Sequence, residues 1–455
     1  MTQKKLVLIN AVDRTTTNEE FFLPLSRITA FQPIGLGFLA AATPKHWGVE
    51  IVDENYEDFE DSDADIVGVS AYSTSINRAI EISQKLRAKG QTVILGGKHA
   101  TLFTEESQKY FTSVVAGEAE TIWGQVINDF ENNRLKTLYE GSQFPLKEVP
   151  VPRRDIFDKY DYRIATVQFA RGCAYNCDFC GVPVLYNHKY RQRETDDVIQ
   201  ELKEIKQKYV FLVDDNIVCN NPEHRKKILE LFDKIVENKI NKYFMCAATI
   251  NIVDDDEMLE RAKRAGVKVL YVGIESEKTN VLHSVNKSSN YKQVTDYYKK
   301  ALKKIHKYKI SVMAGFICGF DEDTREDVEA RVKYIRKSAV DFFTFTFITP
   351  LPMTKLYEFY EKEDRLLYKN FPKDWIYYNS CNVPIKTLRE DYKVMSEVYY
   401  HSALNLVQVK TLLRKLFWTI LRTRSFRTAN VLLVYETKMH VYFSSHWLVK
   451  LLVKY

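Results

Sequence analysis

Short runs of valine and isoleucine recur along the first part of the chain. Each is followed by a stretch whose apolar residues return every three or four positions. The runs are KLVLIN (5–10), VEIVDEN (49–55), DIVGVSAY (65–72), TVILGG (92–97) and SVVAGE (113–118). Between them lie GLGFLAAAT, SINRAIEISQKLRAK, TEESQKYF and ETIWGQVINDF. Near-continuous apolar runs of this length read as strands buried on both faces, and the spaced stretches read as covering helices. The pattern predicts a doubly wound parallel sheet over residues 1–141, an architecture that binds ligands at the carboxyl ends of its strands.

Residues 142–164 break the pattern. Pro145, Pro150 and Pro152 fall close together with little periodicity, and a linker is expected. A second alternating series then begins with ATVQFARG (165–172), YVFLVDDN (209–216) and YFMCAATI (243–250). It continues with VLYVGIES (269–276), SVMAGFICG (311–319) and FFTFTFITP (342–350). Amphipathic helices such as TDDVIQELKEIKQK separate the strands. Six β/α units are too few for a closed eight-stranded barrel and suit an open, partial (β/α)6 barrel over residues 165–385. The polar residues ending its strands should gather at one mouth: Cys173, Asp214, Asp215, Asn216, Glu275, Ser276, Asp321 and Glu322. From residue 386 the alternation stops, and a small helical extension is predicted over 386–455.

Charge changes the picture only at that extension. The chain of 455 residues has a net charge of +6, yet residues 404–455 hold nine lysines and arginines against the single Glu436. The basicity belongs to the tail. Within it, LNLVQVKTLLRKLFWTILRTR (404–424) reads as a basic amphipathic helix. Such a helix suits a membrane surface, or it packs on the barrel with its charges in water. No uncharged run approaches the ~20 residues that a membrane span needs. The start, MTQKKLVLINAVD, enters a strand without an apolar leader, which predicts a cytoplasmic protein. Nucleic-acid binding is not expected, since the body without the tail is slightly acidic.

Cysteine usage is the strongest chemical signal. Cys219, Cys246, Cys318 and Cys381 are scattered, but Cys173, Cys177 and Cys180 form C-x3-C-x2-C in FARGCAYNCDFCGVP. A closed zinc site needs four ligands, and a cubane iron–sulfur cluster held entirely by protein takes four thiolates. Three thiolates would leave one iron open to a substrate or cofactor. A zinc site completed by a distant residue, or plain buried cysteines, are the alternatives. A G-x-G-x-x-A match at Gly35, Gly37 and Ala40, with Asp53 beyond it, mimics a dinucleotide fingerprint. Residues 11–32 separate those glycines from the first strand, so they are expected to pack a helix start against the sheet.

The triad, with Phe179 before its last cysteine, at the end of the first strand of a partial barrel, resembles the radical SAM signature. The resemblance implies a [4Fe-4S] cluster on Cys173, Cys177 and Cys180. S-adenosylmethionine (SAM) would be held on the open iron and cleaved by one electron to a hydrogen-abstracting 5′-deoxyadenosyl radical. GIES (273–276) and AGFICGFDED (314–323) resemble SAM-contacting segments, which places Glu275, Ser276, Gly315 and Gly319 at SAM. VDDN (213–216) is similar to the form found in the cobalamin-binding branch, and makes Asp214 or Asp215 a partner for the SAM ammonium. Arg191 and Arg193 also fit the family pattern, either as anion clamps or as surface charges.

The first part of the chain resembles the cobalamin-binding domain fused to such barrels. PIGLGFLAA, VSAYSTSINRA, LGGKHAT and VAGEAE are similar to its corrin-cradling segments. That assigns Ser70, Ser73, Thr74, Gly96, Gly97, His99, Gly117 and Glu118 to cobalamin, with His99 as a polar contact. No D-x-H-x-x-G motif is present to supply a histidine beneath the cobalt. The implied activity is a cobalamin-dependent radical SAM methyltransferase acting on an unactivated carbon of a hydrophobic small molecule, lipid- or tetrapyrrole-like. Cyclisation or oxidoreduction without methyl transfer is the alternative, and a non-enzymatic sensor a further one. The electron would come from a reductant such as flavodoxin or ferredoxin. Peripheral membrane contact through the tail is the remaining partner expectation.

Overall fold

The computed structural model describes residues 3–12, 27, 30–218, 221–290 and 294–426. Cys219 and residues 427–455 of the predicted extension lie outside the described residues. The first unit is a six-stranded parallel sheet of β1 (Lys4–Asn10), β2 (Trp47–Asp53), β3 (Ile66–Ser70), β4 (Thr92–Gly96), β5 (Ser113–Gly117) and β6 (Leu138–Gly141), in the order β2-β1-β3-β4-β5-β6. Helices α1 (Ile34–Ala42), α2 (Ile76–Arg87) and α3 (Trp123–Glu131) cover it. Each of the five predicted strands is present. The sixth has no apolar run to announce it: LYEG buries only Tyr139 and exists through its register with β5, Val114 opposite Leu138. The order reverses between β1 and β3, and this crevice at the strands' carboxyl ends is where such a sheet accepts a ligand.

Residues 142–164 are more than a tether. Ile156, Phe157 and Tyr162 are buried in the first unit's core with Leu6, Leu8 and Trp47. A Cβ on Gly37 would lie 3.2 Å from the Phe157 ring and 3.3 Å from the Arg153 carbonyl, so this glycine packs α1 against the connecting segment rather than against the sheet. Asp53 is fully buried. It accepts hydrogen bonds from Asn10 (2.8 Å), the Asn55 backbone amide (3.0 Å) and the Tyr162 hydroxyl. A carboxylate committed in this way is not free for a ribose.

The second unit is a parallel sheet in sequential order: β7 (Ile164–Val167), β8 (Tyr209–Leu212), β9 (Tyr243–Ala248), β10 (Val267–Glu275), β11 (Ser311–Cys318) and β12 (Phe342–Phe347). Its two end strands do not pair with each other, so the sheet is open. Alternation along the strands sorts the residues. Leu270, Val272, Ile274, Val312, Ala314 and Phe316 pack under the outer helices. Met245, Val269, Tyr271, Met313 and Phe342 form a small apolar floor on the inner face. Toward the carboxyl ends the inner face changes character, through the Tyr271–Thr344 hydroxyl pair (3.1 Å) to Gly273, Gly315 and Glu275.

Buried charge joins the units near β7. Glu201, on α4 (Thr195–Glu204), is fully buried and accepts from Arg193 Nη1 at 2.5 Å and from Arg154 of the connecting segment. Arg154 also donates to Gln32 (2.8 Å) and to the Thr166 carbonyl (2.6 Å). Removing the carboxylate strands two buried guanidinium groups. Glu201→Leu is therefore expected to cost about 3–5 kcal/mol in chemical denaturation. Leucine at the neighbouring exposed Glu204 should change stability by less than ~0.5 kcal/mol.

Candidate functional site

The cysteine loop is positioned almost entirely through its backbone. Asp214, which follows β8 after Val213, accepts from the backbone amides of Phe169 (2.7 Å) and Ala170 (2.9 Å), and Asp215 accepts from that of Gly172 (3.0 Å). Gly172 has φ of +98°, and a Cβ there would lie 2.0 Å from the Lys189 carbonyl, so only glycine lets the loop turn. Farther along, the Asp178 amide donates to the Val285 carbonyl (3.1 Å), and Asn286 donates to the Asn176 carbonyl (2.9 Å). The loop thus hangs between the end of β8 and the segment after β10.

This fastening presents three thiols whose charges act on one another. Burial pushes the Cys177 thiol up to about 12, opposed by the ammonium of Lys287 and reinforced by Cys180, Glu275 and Cys173. Burial likewise raises Cys180. Lys287 is itself buried and pairs with Glu275 at 2.9 Å. Burial works against its charge, yet Glu275 and Cys177 hold the ammonium above its ordinary range. Among the described residues no three His, Cys, Asp or Glu side chains are placed to hold one metal ion. A single ion needs donors about 2.0–2.3 Å from a common point. A cubane puts each thiolate on a different iron and carries no such demand. Three sulfurs on one loop beside a buried cation suit an anionic multi-iron cluster. Cys246 and Cys318 supply no fourth sulfur, for both are fully buried in the outer core.

The residues predicted to meet SAM divide. Glu275 has φ of +63° where the β10–β11 register shifts, and its carboxylate lies beside Gly273 and Lys287 on the inner face. Gly315 also faces inward, since a Cβ there would sit 2.9 Å from the Tyr271 hydroxyl. Ser276 points the other way. It is fully buried, and its Oγ accepts from Arg331 (3.1 Å) and the Lys278 amide (3.1 Å), beside the buried Arg331–Asp323 pair. Gly319, at φ of +84°, gives room to the Phe347 ring, which a Cβ would meet at 2.1 Å. Asp214 and Asp215 are engaged with loop amides, and the second oxygen of Asp214 has no hydrogen-bond partner. Arg193 is a buried charge paired with Glu201 and not a surface residue.

A cavity of about 390 Å³ opens at the carboxyl ends of the first sheet. Ser70, Gly96, Gly97, Gly117 and Glu118 line it, as does Gly35. A Cβ on Gly35 would touch nothing within 4 Å, and one on Gly96 nothing nearer than 4.0 Å, so both glycines face open space. Leu36, Leu39, Ile94 and Val115 supply apolar walls. A large, mostly apolar macrocycle with amide arms fits such a lining. Ser73, Thr74 and His99 are not among the lining residues. His99 is fully buried, with Nδ1 3.2 Å from Ser73 Oγ and Nε2 3.2 Å from Glu106, and packs on Phe103 and Trp375. Burial lowers its pKa. Among the described residues no histidine lines the cavity.

The far wall comes from the second unit: Gln168, Arg171, Leu185 and Tyr186 flank the cysteine loop on either side. Arg171 is buried between Glu118 (3.4 Å) and Glu120 (2.6 Å), and Arg191 also pairs with Glu118. Arg171 precedes the first cysteine by two positions, and that adjacency is the sequence signal that could have drawn attention to it.

Residues 29–127 match the B12 binding domain, and residues 167–335 match the Radical SAM superfamily. The chain belongs to the cobalamin-binding radical SAM enzymes. The enzyme is 29% identical to bacteriochlorophyllide d C-8(2)-methyltransferase of Chlorobaculum tepidum, over 80% of this chain and 85% of that protein. It is 28% identical to hopanoid C-2 methylase of Rhodopseudomonas palustris, over 75% of this chain and 66% of that one. Its fold is that of the cobalamin-dependent SAM radical enzyme OxsB, with a TM-score of 0.69 at 16% identity, covering 99% of this chain and 73% of OxsB. The radical SAM methyltransferase TsrM of Kitasatospora setae gives 0.60 at 17% identity, covering 79% and 76%.

Two titrations check the electrostatics of the enzyme without its cofactors. Burial foremost pushes the Asp214 carboxyl up to about 7. Its proton is held more tightly folded than unfolded, so its contribution to stability is full below about pH 4 and lost as pH rises through about 7. Asp214→Asn keeps an acceptor for the two amides and should flatten the fall in urea-unfolding stability between those pH values. Lys287→Met should raise the Cys177 thiol further and slow its reaction with a disulfide reagent at pH 8 by about threefold or more, while Lys287→Arg preserves the rate.

Proposed function

We propose that this enzyme is a cobalamin-dependent radical SAM methyltransferase that methylates an unactivated carbon of a hydrophobic, lipid- or tetrapyrrole-like small molecule. The observation that carries the reading is the shared wall. Arg171, Leu185 and Tyr186 bound the glycine-lined cavity of the first unit, and the cysteines lie between them in the chain. A corrin in the cavity and a cluster on Cys173, Cys177 and Cys180 would therefore serve one chamber. Bound there, the cluster, SAM and cobalamin supply one-electron chemistry and a transferable methyl group, while the protein supplies position and a dry enclosure. C-methylation of a tetrapyrrole and of a hopanoid are the activities that the names of two relatives carry.

The side chains have separable tasks. Cys173, Cys177 and Cys180 would hold the cluster, and Lys287 offsets the negative charge gathered at them. Glu275, fixed by Lys287, is the carboxylate available on the inner face to a bound sulfonium's ammonium. Tyr271, Met245, Met313 and Phe342 close the floor against water. Arg171 and Arg191 together neutralise Glu118 and Glu120 where the two units meet.

The test is anaerobic reconstitution with SAM carrying a labelled methyl group, a low-potential reductant and an extract of the host's lipids and pigments. The expected result is label on carbon in an extracted molecule, with 5′-deoxyadenosine and S-adenosylhomocysteine formed together. Cys177→Ala should lower 5′-deoxyadenosine at least a hundredfold. 5′-Deoxyadenosine without label transfer would assign the chain to radical cyclisation or oxidoreduction instead.

A further inference from the structure

The last described helix is docked with its polar side inward. In α5 (Val409–Thr423) the buried residues are Thr411, Leu412, Lys415, Thr419 and Thr423. Lys415 Nζ donates to the Val340 carbonyl (2.7 Å), Thr419 Oγ1 to Asp341 (3.0 Å), and Arg422 to the Ala339 carbonyl (2.8 Å) and to Asp341 (3.3 Å). Asp341 is fully buried and also accepts from the Val312 amide (2.8 Å), with the His306 ring at 2.7 Å. These bonds fix the helix's rotation. Turning it to bury leucines would take these partners from one oxygen of Asp341 and from the carbonyls before β12, which costs more than the apolar contact returns.

The helix predicted over 404–424 is broken at Val407 and Gln408, with residues 404–406 ending a helix over Tyr392–Leu406; α5 is amphipathic as expected, but the face offered to the barrel is the other one. Val409, Leu413, Phe417, Trp418, Leu421 and Phe426 face solvent, from 47% exposed at Trp418 to 67% at Phe426. Lys410, Arg414 and Arg424 are exposed with them, and no acidic residue lies in the helix. The result is an apolar and cationic stripe about 22 Å long.

We propose that this face of α5 docks the enzyme on an anionic lipid surface. The sign of the charge selects among occupants. A second copy would bring Lys410, Arg414 and Arg424 against their own equivalents, and like charges in a two-fold contact repel. Lipid headgroups supply the complementary charge, while long lysine and arginine stems reach past apolar neighbours to meet them. Tryptophan and phenylalanine on such a face sit at the headgroup boundary. Among the described residues no helix is long and apolar enough to cross a membrane. The inference stands independently of the reaction assigned above.

The full-length protein is sedimented with phosphatidylcholine vesicles containing or lacking phosphatidylglycerol, and sedimentation velocity is run on the protein alone. Binding should be about tenfold or more tighter to the anionic vesicles and weaken with salt. The pair Leu413→Glu and Phe417→Glu should reduce it at least about tenfold with unchanged thermal unfolding. Should that pair unfold the protein, Lys410→Gln with Arg414→Gln should still abolish the preference for anionic lipid. Absence of vesicle binding, binding indifferent to lipid charge, or binding untouched by the substitutions overturns the proposal. A self-association lost in the glutamate pair, with no vesicle binding, overturns it in favour of a second copy.

Discussion

The geometry of this enzyme depends on one constraint: a charge taken out of water must find its partner inside. Where the two units meet, Arg171 lies between Glu118 and Glu120, and Arg191 reaches the same Glu118. These residues end a strand of one unit or flank the cysteine loop of the other. Each is more costly to leave unpaired than to hold in place. The seam therefore fixes how the mouth of the open sheet faces the crevice of the doubly wound one, which is why the cavity and the cysteines share a wall.

The same rule explains the interior of the second unit. Two buried acid–base groups stand back to back at the end of β10. Glu275 with Lys287 turns inward beside the thiols, while Ser276 with Arg331 and Asp323 turns outward and secures the helical layer. One residue's step along the strand separates a group available to a ligand from one that braces the fold. Asp214 belongs with the braces. Its carboxylate holds the amides that start the cysteine loop, and Gly172 turns that loop through a conformation no other residue tolerates without strain.

At the other end of the chain the buried Asp341 decides the orientation of α5. A helix that could rotate freely would present its leucines to the barrel, as amphipathic helices do. Here a polar row meets a polar anchor, and the apolar row is left outward among lysines and arginines. Hydrogen bonds to one carboxylate and two carbonyls outweigh a general preference for burying hydrocarbon, because they are specific in place and buried at the contact.

The sequence by itself determined the architecture. Apolar runs of strand length at regular intervals mark eleven of the twelve strands in the two large sheets, since strands buried on both faces must be apolar throughout. It missed β6, whose four residues become a strand only by register with a neighbour. It also determined the cysteine triad, because three thiols in eight positions have few uses, and the glycines of the cavity, because close backbone approach needs them. Only the tertiary structure decided which way each polar residue turns. Ser276 and His99 have types and positions suited to a ligand, yet both are committed to internal partners. Arg171 and Lys287 carry no motif of their own and stand at the centre. Pattern along a chain records which residues are apolar and how often. The partner of a buried charge comes from elsewhere in the chain, and folding alone brings it near.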